Sequence, residues 1–254
     1  MAPLLFLARA LPVALWIAAG LLTELIVFPW LRRPRRRQVV RAWSRGLMTL
    51  CGIRVHVDGS PVREGAVLWV ANHISWVDIF VLNSVRPTSF VAKSDIRRWP
   101  VLGLLVAWAG TLFIDRAHRH AVRLAGQQMQ ACFDQGDVVG LFPEGTSTEG
   151  ADVKPFHAGL FEPAIQATVP VQPIALRFLH RGRPAPSLAF VGDQTLVANL
   201  WRLLGRRGVR VDCTFLPPIP PAPGQTRSLL AQRTHAAVAR HLKAPNPGNQ
   251  NAAP

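Results

Sequence analysis

The spacing of apolar residues changes period many times along this chain, and each change predicts an element. Leu4 to Leu31 reads LLFLARALPVALWIAAGLLTELIVFPWL, with charge only at Arg9 and Glu24. A run that long predicts a helix matched to a bilayer core, which takes about 20 apolar residues. Val39 to Leu50 has helical spacing and is stopped by Gly52. Ile53 to Val57 alternates as a strand does, and Asp58-Gly59 turns it. Ala66 to Ala71, Thr88 to Ala92, Leu112 to Ile114 and Val138 to Phe142 read as short strands, the last with no polar face. Ser75 to Ser84, His118 to Phe133 and Gly159 to Thr168 read as helices, and Val101 to Ala109 is an apolar run ended by Gly110. Further on, Val171 to Phe178, Ser187 to Val191 and Val209 to Phe215 look like strands. Thr195 to Leu204 is an apolar helix with a basic end, and Thr226 to Leu242 is the last helix. PPIPPAP, Pro217 to Pro223, is a rigid connector.

Strands alternating with helices predict an α/β domain: a mixed, largely buried sheet flanked by helices. To this is added an N-terminal membrane-associated helical segment. The expected parts are residues 1–37 as a membrane-anchoring segment with a basic flank, 38–243 as the main domain, and 244–254 as a disordered tail. No internal repeat is visible.

Charge sharpens the picture. The net charge is +15, although only 17% of the 254 residues are charged. Much of the excess lies in RRPRRR, Arg32 to Arg37, and in Arg41 and Arg45, directly after the apolar run. A cleaved signal peptide carries its charge before its apolar stretch. Charge after the stretch marks a cytoplasmic flank, where an anionic leaflet holds it. Pro12 and Glu24 are better tolerated by a helix dipping into one leaflet than by one crossing it, and both arrangements stay open. No helix-turn-helix, zinc-finger or RNP signature accompanies the basic residues, so the expected partner is an anionic membrane surface and not nucleic acid. Cys51, Cys132 and Cys213 stand far apart, with neither disulfide-framework nor zinc spacing.

Candidate chemistry begins at VLWVANHISWVDIF, Val67 to Phe80. His73 and Asp78 are five apart, poor spacing for one helix face. They meet if His73 lies in the turn before a helix and Asp78 in its first turn. The carboxylate then fixes one ring nitrogen and leaves the other free to take a proton. A blander reading competes: Ser75-Trp76-Val77-Asp78 is a capping box, with Asp78 only starting a helix. In GLFPEGTST, Gly140 to Thr148, a buried strand runs into Glu144 and Gly145. Gly145 permits a tight turn whose amides can face an anion, and Thr146 and Ser147 can donate to it. Arg116 in GTLFIDR follows a short strand and could hold a phosphate or carboxylate. Lys154 in KPFHAGLF supplies charge before a helix. VPVQPIAL, Val169 to Leu176, has no titratable group and is either core strand or the wall of an apolar slot.

Taken in order, the blocks NHISWVD, GTLFIDR, FPEGTST and VPVQPIAL resemble those of the glycerolipid acyltransferase family, the 1-acylglycerol-3-phosphate acyltransferase type. The first matches that family's Asn-His-x4-Asp pattern in full, and KPFHAGLF fits its Lys-x-Phe-x2-Gly segment. The resemblance spans Ala66 to Leu176. It departs after Glu-Gly-Thr, where many members carry Arg and this chain carries Ser147. Relatives that acylate other lysolipids, including lyso-ornithine lipid, depart likewise.

The resemblance implies a membrane enzyme that moves an acyl group from acyl-CoA or acyl carrier protein to the free hydroxyl of a lysolipid, with 1-acylglycerol-3-phosphate expected before lyso-ornithine lipid. His73 is then the general base and Asp78 its orienting partner. Arg116, Glu144, Gly145, Thr146, Ser147 and Lys154 are expected at the acceptor headgroup, with Glu144 orienting Arg116 or a substrate hydroxyl. No metal or cofactor is required, and His-x4-Asp is not a usual ligand spacing. The active site is expected to face the cytoplasm. Two readings of other classes compete: a hydrolase with Ser75 as nucleophile, for which no Gly-x-Ser-x-Gly elbow is present, and an inactive lipid-binding protein.

Overall fold

Buried, two-sided apolar strands need cover on both faces, and the sheet they form sets where the loops converge. The computed structural model describes residues 2–99, 102–108, 110–114 and 119–244. Arg116 lies outside these residues, as does the expected tail apart from Ala244. The strands are β1 (Ile53–Gly59), β2 (Val67–Ala71), β3 (Thr88–Lys93), β4 (Leu112–Ile114), β5 (Val138–Leu141), β6 (Val171–His180), β7 (Arg183–Pro184) and β8 (Val209–Phe215). They form one sheet in the order β1-β8-β6-β2-β5-β3-β4, with β7 paired to β6. From β6 to β4 the neighbours are parallel, β8 runs against β6, and β1 runs with β8. The sheet is therefore mixed, as expected.

Every residue of β2 and β5 is buried. The two strands are adjacent, Val70 opposite Leu141, although about seventy residues of chain separate them. Gly140 is what lets β3 lie so close: a Cβ there would stand 2.4 Å from the Phe90 ring. Because both strands run the same way, the segments after Ala71 and after Leu141 emerge together at one edge, where sites of such sheets form.

The helices are α1 (Ala2–Leu22), α2 (Arg33–Leu50), α3 (Asp78–Val85), α4 (Leu102–Trp108), α5 (Arg119–Phe133), α6 (Glu162–Gln166), α7 (Leu196–Leu204) and α8 (Arg227–Lys243). Thr195 and Thr226 cap α7 and α8, each hydroxyl accepting an amide three residues on. Two expectations change. Ser187 to Val191 is no strand: Pro186 starts a 3-10 turn, Pro186–Leu188, and the chain then runs extended. Gly159 to Thr168 splits into a 3-10 turn, Ala158–Phe161, and α6, because Pro163 in the first turn of α6 cannot donate to the preceding one.

The N-terminus departs further from expectation. The Arg block is the start of α2, so the expected boundary at 37/38 falls inside a helix. Arg33 and Arg37 pair with the buried carboxylate of Asp137, ahead of β5, and are bound to the domain. After Leu22, α1 continues as a π turn and a 3-10 turn to Trp30. It folds back on α2 and also meets α7: Arg9 donates to the carbonyls of Leu204 (3.1 Å) and Arg206 (2.6 Å), and Phe6 packs on Trp201. The opposite face of α1 is bare. Leu4, Leu7, Leu11, Leu15, Leu22 and Leu25 are each more than half exposed. The segment Ala2–Trp30 is long and apolar enough to cross a membrane.

Candidate active site

Asn72 is the first residue past β2, and it is fully buried. Its side-chain amide accepts from the Leu176 amide (2.8 Å) and donates to the Leu176 carbonyl (3.1 Å). It thereby completes the pairing with β6 while the main chain turns away, and His73 leaves the sheet at a fixed angle.

His73 Nδ1 lies 2.8 Å from Asp78 Oδ2, and α3 begins at Asp78. The same oxygen accepts the amides of Ile74 (2.7 Å) and Ser75 (2.9 Å). Asp78 thus accepts the Ser75 amide, the acid half of a capping box, and also carries the imidazole. Three donors on one fully buried oxygen leave it little freedom. Nδ1 must carry a proton to bond a carboxylate, so Nε2 of the neutral ring holds the lone pair. About a fifth of the His73 side chain is exposed (22%), and no described residue bonds Nε2. Ser75 is fully buried, and among the described residues its oxygen meets only the Val77 amide, at 3.5 Å. It cannot reach a substrate.

The imidazole face rests on Phe142, with ring centroids 4.3 Å apart, and Phe142 in turn stacks on Phe90 at 5.3 Å. Edge and face are thus both braced. The loop after β5 completes the clasp. Glu144 Oε1 accepts the His73 amide (2.7 Å), Oε2 accepts the Lys154 amide (2.8 Å), and the Thr148 amide donates to the His73 carbonyl (2.8 Å). Burial pushes the Glu144 carboxyl up, and the Lys154 and His73 amides pull it back. Both Glu144 oxygens accept main-chain donors, so among the described residues it ties two loops together. Gly145 turns the chain with φ 74°, as its sequence context predicts.

Ser147 donates its hydroxyl proton to the Phe190 carbonyl. Thr146 is exposed beside it, and so is Lys154, whose amide joins the Glu144 clasp. Arg116 comes two residues after β4, outside the described residues. The block VPVQPIAL resolves as core strand. Val171 to Leu176 are all buried, with Gln172 accepting from Trp69 Nε1 (3.1 Å) and the Val62 amide (2.9 Å). Sequence reasoning did not single out Phe142 or Phe190, because an aromatic beside a strand looks like ordinary core.

The site is thus a braced, partly open imidazole at the end of a central strand of a mixed α/β sheet. Comparison with known proteins gives the family. The model of the family described as Acyltransferase matches residues 53–177. The lyso-ornithine lipid O-acyltransferase of Pseudomonas aeruginosa is 39% identical over 206 residues, 81% of this chain and 78% of that one. The 1-acyl-sn-glycerol-3-phosphate acyltransferase of Neisseria gonorrhoeae is 33% identical over 182 residues, 71% of each. The crystal structure of the 1-acyl-sn-glycerophosphate (LPA) acyltransferase from Thermotoga maritima shares the fold, with a TM-score of 0.65 at 21% identity over 96% of this chain and 97% of that one. The chain belongs to the acyltransferase family and is an acyltransferase.

Proposed function

We propose that this chain moves a fatty acyl group from an acyl thioester to the free hydroxyl of a lysolipid, with His73 as general base. One observation carries the mechanism: Asp78 holds Nδ1 at 2.8 Å, while no described residue bonds Nε2 and the His73 side chain is partly exposed. Nε2 takes the hydroxyl proton as the oxygen bonds to the thioester carbon. The tetrahedral intermediate collapses, the carbon–sulfur bond breaks, and the departing thiolate takes the proton back from His73. Asp78 stays ionised and stabilises the imidazolium between these steps. The donor is acyl-CoA or acyl carrier protein, both thioesters.

For the acceptor we favour lyso-ornithine lipid. Relatives so named match at 39% and 36% identity, and the Ser147 hydroxyl is spent on Phe190 where many family members carry Arg. The second reading, 1-acylglycerol-3-phosphate, draws on relatives at 33% identity and on Arg116 and Lys154 as cations for its phosphate.

Both lipids live in a bilayer, and withdrawing an acyl chain into water costs about 0.8 kcal/mol per methylene. The bare leucine stripe of α1 supports a helix lying in the membrane face while its other side grips the domain. The basic start of α2 supports attachment from the cytoplasmic side.

Acyl transfer by the detergent-solubilised protein, offered a labelled acyl thioester with each acceptor, tests the reading. Transfer to lyso-ornithine lipid and a loss of about 100-fold or more in His73→Ala are expected. Transfer to lysophosphatidate alone selects the second reading. Undiminished activity in the mutant removes His73 from the mechanism, and labelling by a serine-directed probe would revive the hydrolase.

A further inference from the structure

A groove of about 1230 Å³ runs between α2, β1 and the end of α3, and it shares no lining residue with the His73 site. Its charge is one-sided. Arg41 and Arg45 enter from α2, Arg54 from β1 and Arg63 from the loop before β2. Arg86 follows α3, Arg9 comes from α1, and Arg207 from the turn before β8. Among the described residues that line it, none is acidic.

Several of these guanidiniums are pinned by neutral oxygens. Arg45 and Arg41 both aim at the Ser84 carbonyl, at 2.8 and 3.4 Å, and Arg86 donates to the carbonyls of Val62 (3.0 Å) and Gly65 (2.7 Å). Carbonyls hold an arginine in place without cancelling its charge. Glu64 and Asp137 offset Arg86, but Arg41 feels repulsion from Arg45 and Arg63 on top of its burial. Arg54, Arg63 and Arg207 are exposed, and their side chains make no hydrogen bond or ion pair with a described residue. Guanidiniums held by carbonyls, set beside unpaired ones around a single cavity, present the charge and donors that a phosphate takes.

The other half of the lining is apolar, including Leu5, Met48, Ile53 and Val85. Free phosphate has no use for that half, and an acidic protein surface has no need of the depth. The groove also opens beside Leu5 and Arg9 of α1, the helix whose far side carries the bare leucine stripe. We infer that this groove is a second lipid site, separate from the acceptor site, that takes an anionic glycerophospholipid with its phosphate on the arginines and an acyl chain along the apolar wall.

The test is thermal denaturation of the full chain in neutral detergent at fixed salt, titrated with dioctanoyl phosphatidylglycerol, dioctanoyl phosphatidylcholine or inorganic phosphate. Binding is read without acyl transfer, so a wrong acceptor in the active site leaves the measurement intact. The triple variant Arg54→Gln/Arg63→Gln/Arg207→Gln is compared with its own lipid-free baseline. A second triple, Arg227→Gln/Arg233→Gln/Arg240→Gln on α8, removes the same charge elsewhere. The expected result is a saturable rise in melting temperature with phosphatidylglycerol, smaller with phosphatidylcholine. The apparent affinity should be at least tenfold weaker in the groove triple and near wild type in the α8 triple. Equal responses to the two lipids, or equal weakening in both triples, overturns the site. A response to inorganic phosphate matching that to phosphatidylglycerol makes it a free-anion site and overturns the lipid assignment. So does loss of acyl carrier protein binding in the groove triple with the phosphatidylglycerol response unchanged.

Discussion

The indole nitrogens of Trp16 and Trp43 each donate to the other's main-chain carbonyl, both at 3.1 Å. The reciprocity extends to glycine: the Trp16 ring fills the space above Gly46, and the Trp43 ring fills the space above Gly20. Two indoles thus lock α1 against α2, each occupying a gap that only a missing side chain leaves. This ties the apolar N-terminal helix to the catalytic domain and rules out a free anchor on a linker.

Gly46→Ala brings a Cβ to 2.4 Å from the Trp16 ring. Displacing that indole should cost about 1–3 kcal/mol by overpacking and weaken both indole bonds. Thermal melts of the detergent-solubilised protein should fall accordingly, with flotation on lipid vesicles reduced. A melt like wild type would mean that the hairpin gives way freely.

Asp78→Asn keeps an oxygen for the amides of Ile74 and Ser75 but removes the charge beside Nδ1. The imidazolium loses its counter-charge, and the ring can take the wrong tautomer. The turnover number should fall by about 10²-fold or more, with the acceptor KM little changed. A change confined to KM would assign Asp78 to substrate binding.

Glu144→Gln sets an amide nitrogen against one of two main-chain donors, the His73 or the Lys154 amide. One buried N–H loses its acceptor, at a cost of about 1–3 kcal/mol, and His73 shifts. Turnover should drop with that shift. The pH response has a defined sign. Burial raises the native carboxyl above its ordinary value, so the folded state keeps this proton after the unfolded chain has lost it. The Glu144 contribution to stability therefore declines as pH rises from the ordinary carboxylate range to the raised native value. Denaturant melts between those limits should show that decline in wild type and lack it in Glu144→Gln.

Glu24 sits in the apolar N-terminal segment, where burial pushes its carboxyl up to about 7 against the pull of Arg36. The neutral acid enters a membrane face more readily than the carboxylate. Binding to zwitterionic vesicles should be tighter at pH 6 than at pH 8, and Glu24→Gln should bind alike at both. A pH dependence unchanged by the substitution would assign it to another group.

His73 and Asp78 were legible in sequence because five residues and one turn bring them together. Strands Leu112–Ile114 and Val209–Phe215 were legible to their ends, since apolar runs between turn residues record burial directly. The Arg block was legible as a basic stretch but not in its contacts: Asp137, about a hundred positions on, pairs with Arg33 and Arg37 and ties them to the domain.

The sequence by itself determined the alternation of elements, the apolar N-terminus, the excess of arginine and the turn that joins His73 to Asp78, all of which depend on residues near one another in the chain. Tertiary structure alone decided the clasp of Glu144 on His73, the Phe142 stack, the bridge from Asn72 to Leu176 and the gathering of arginines along β1. Each depends on which strands lie side by side. Periodicity reports how deeply a residue is buried, but not which distant residue is buried against it.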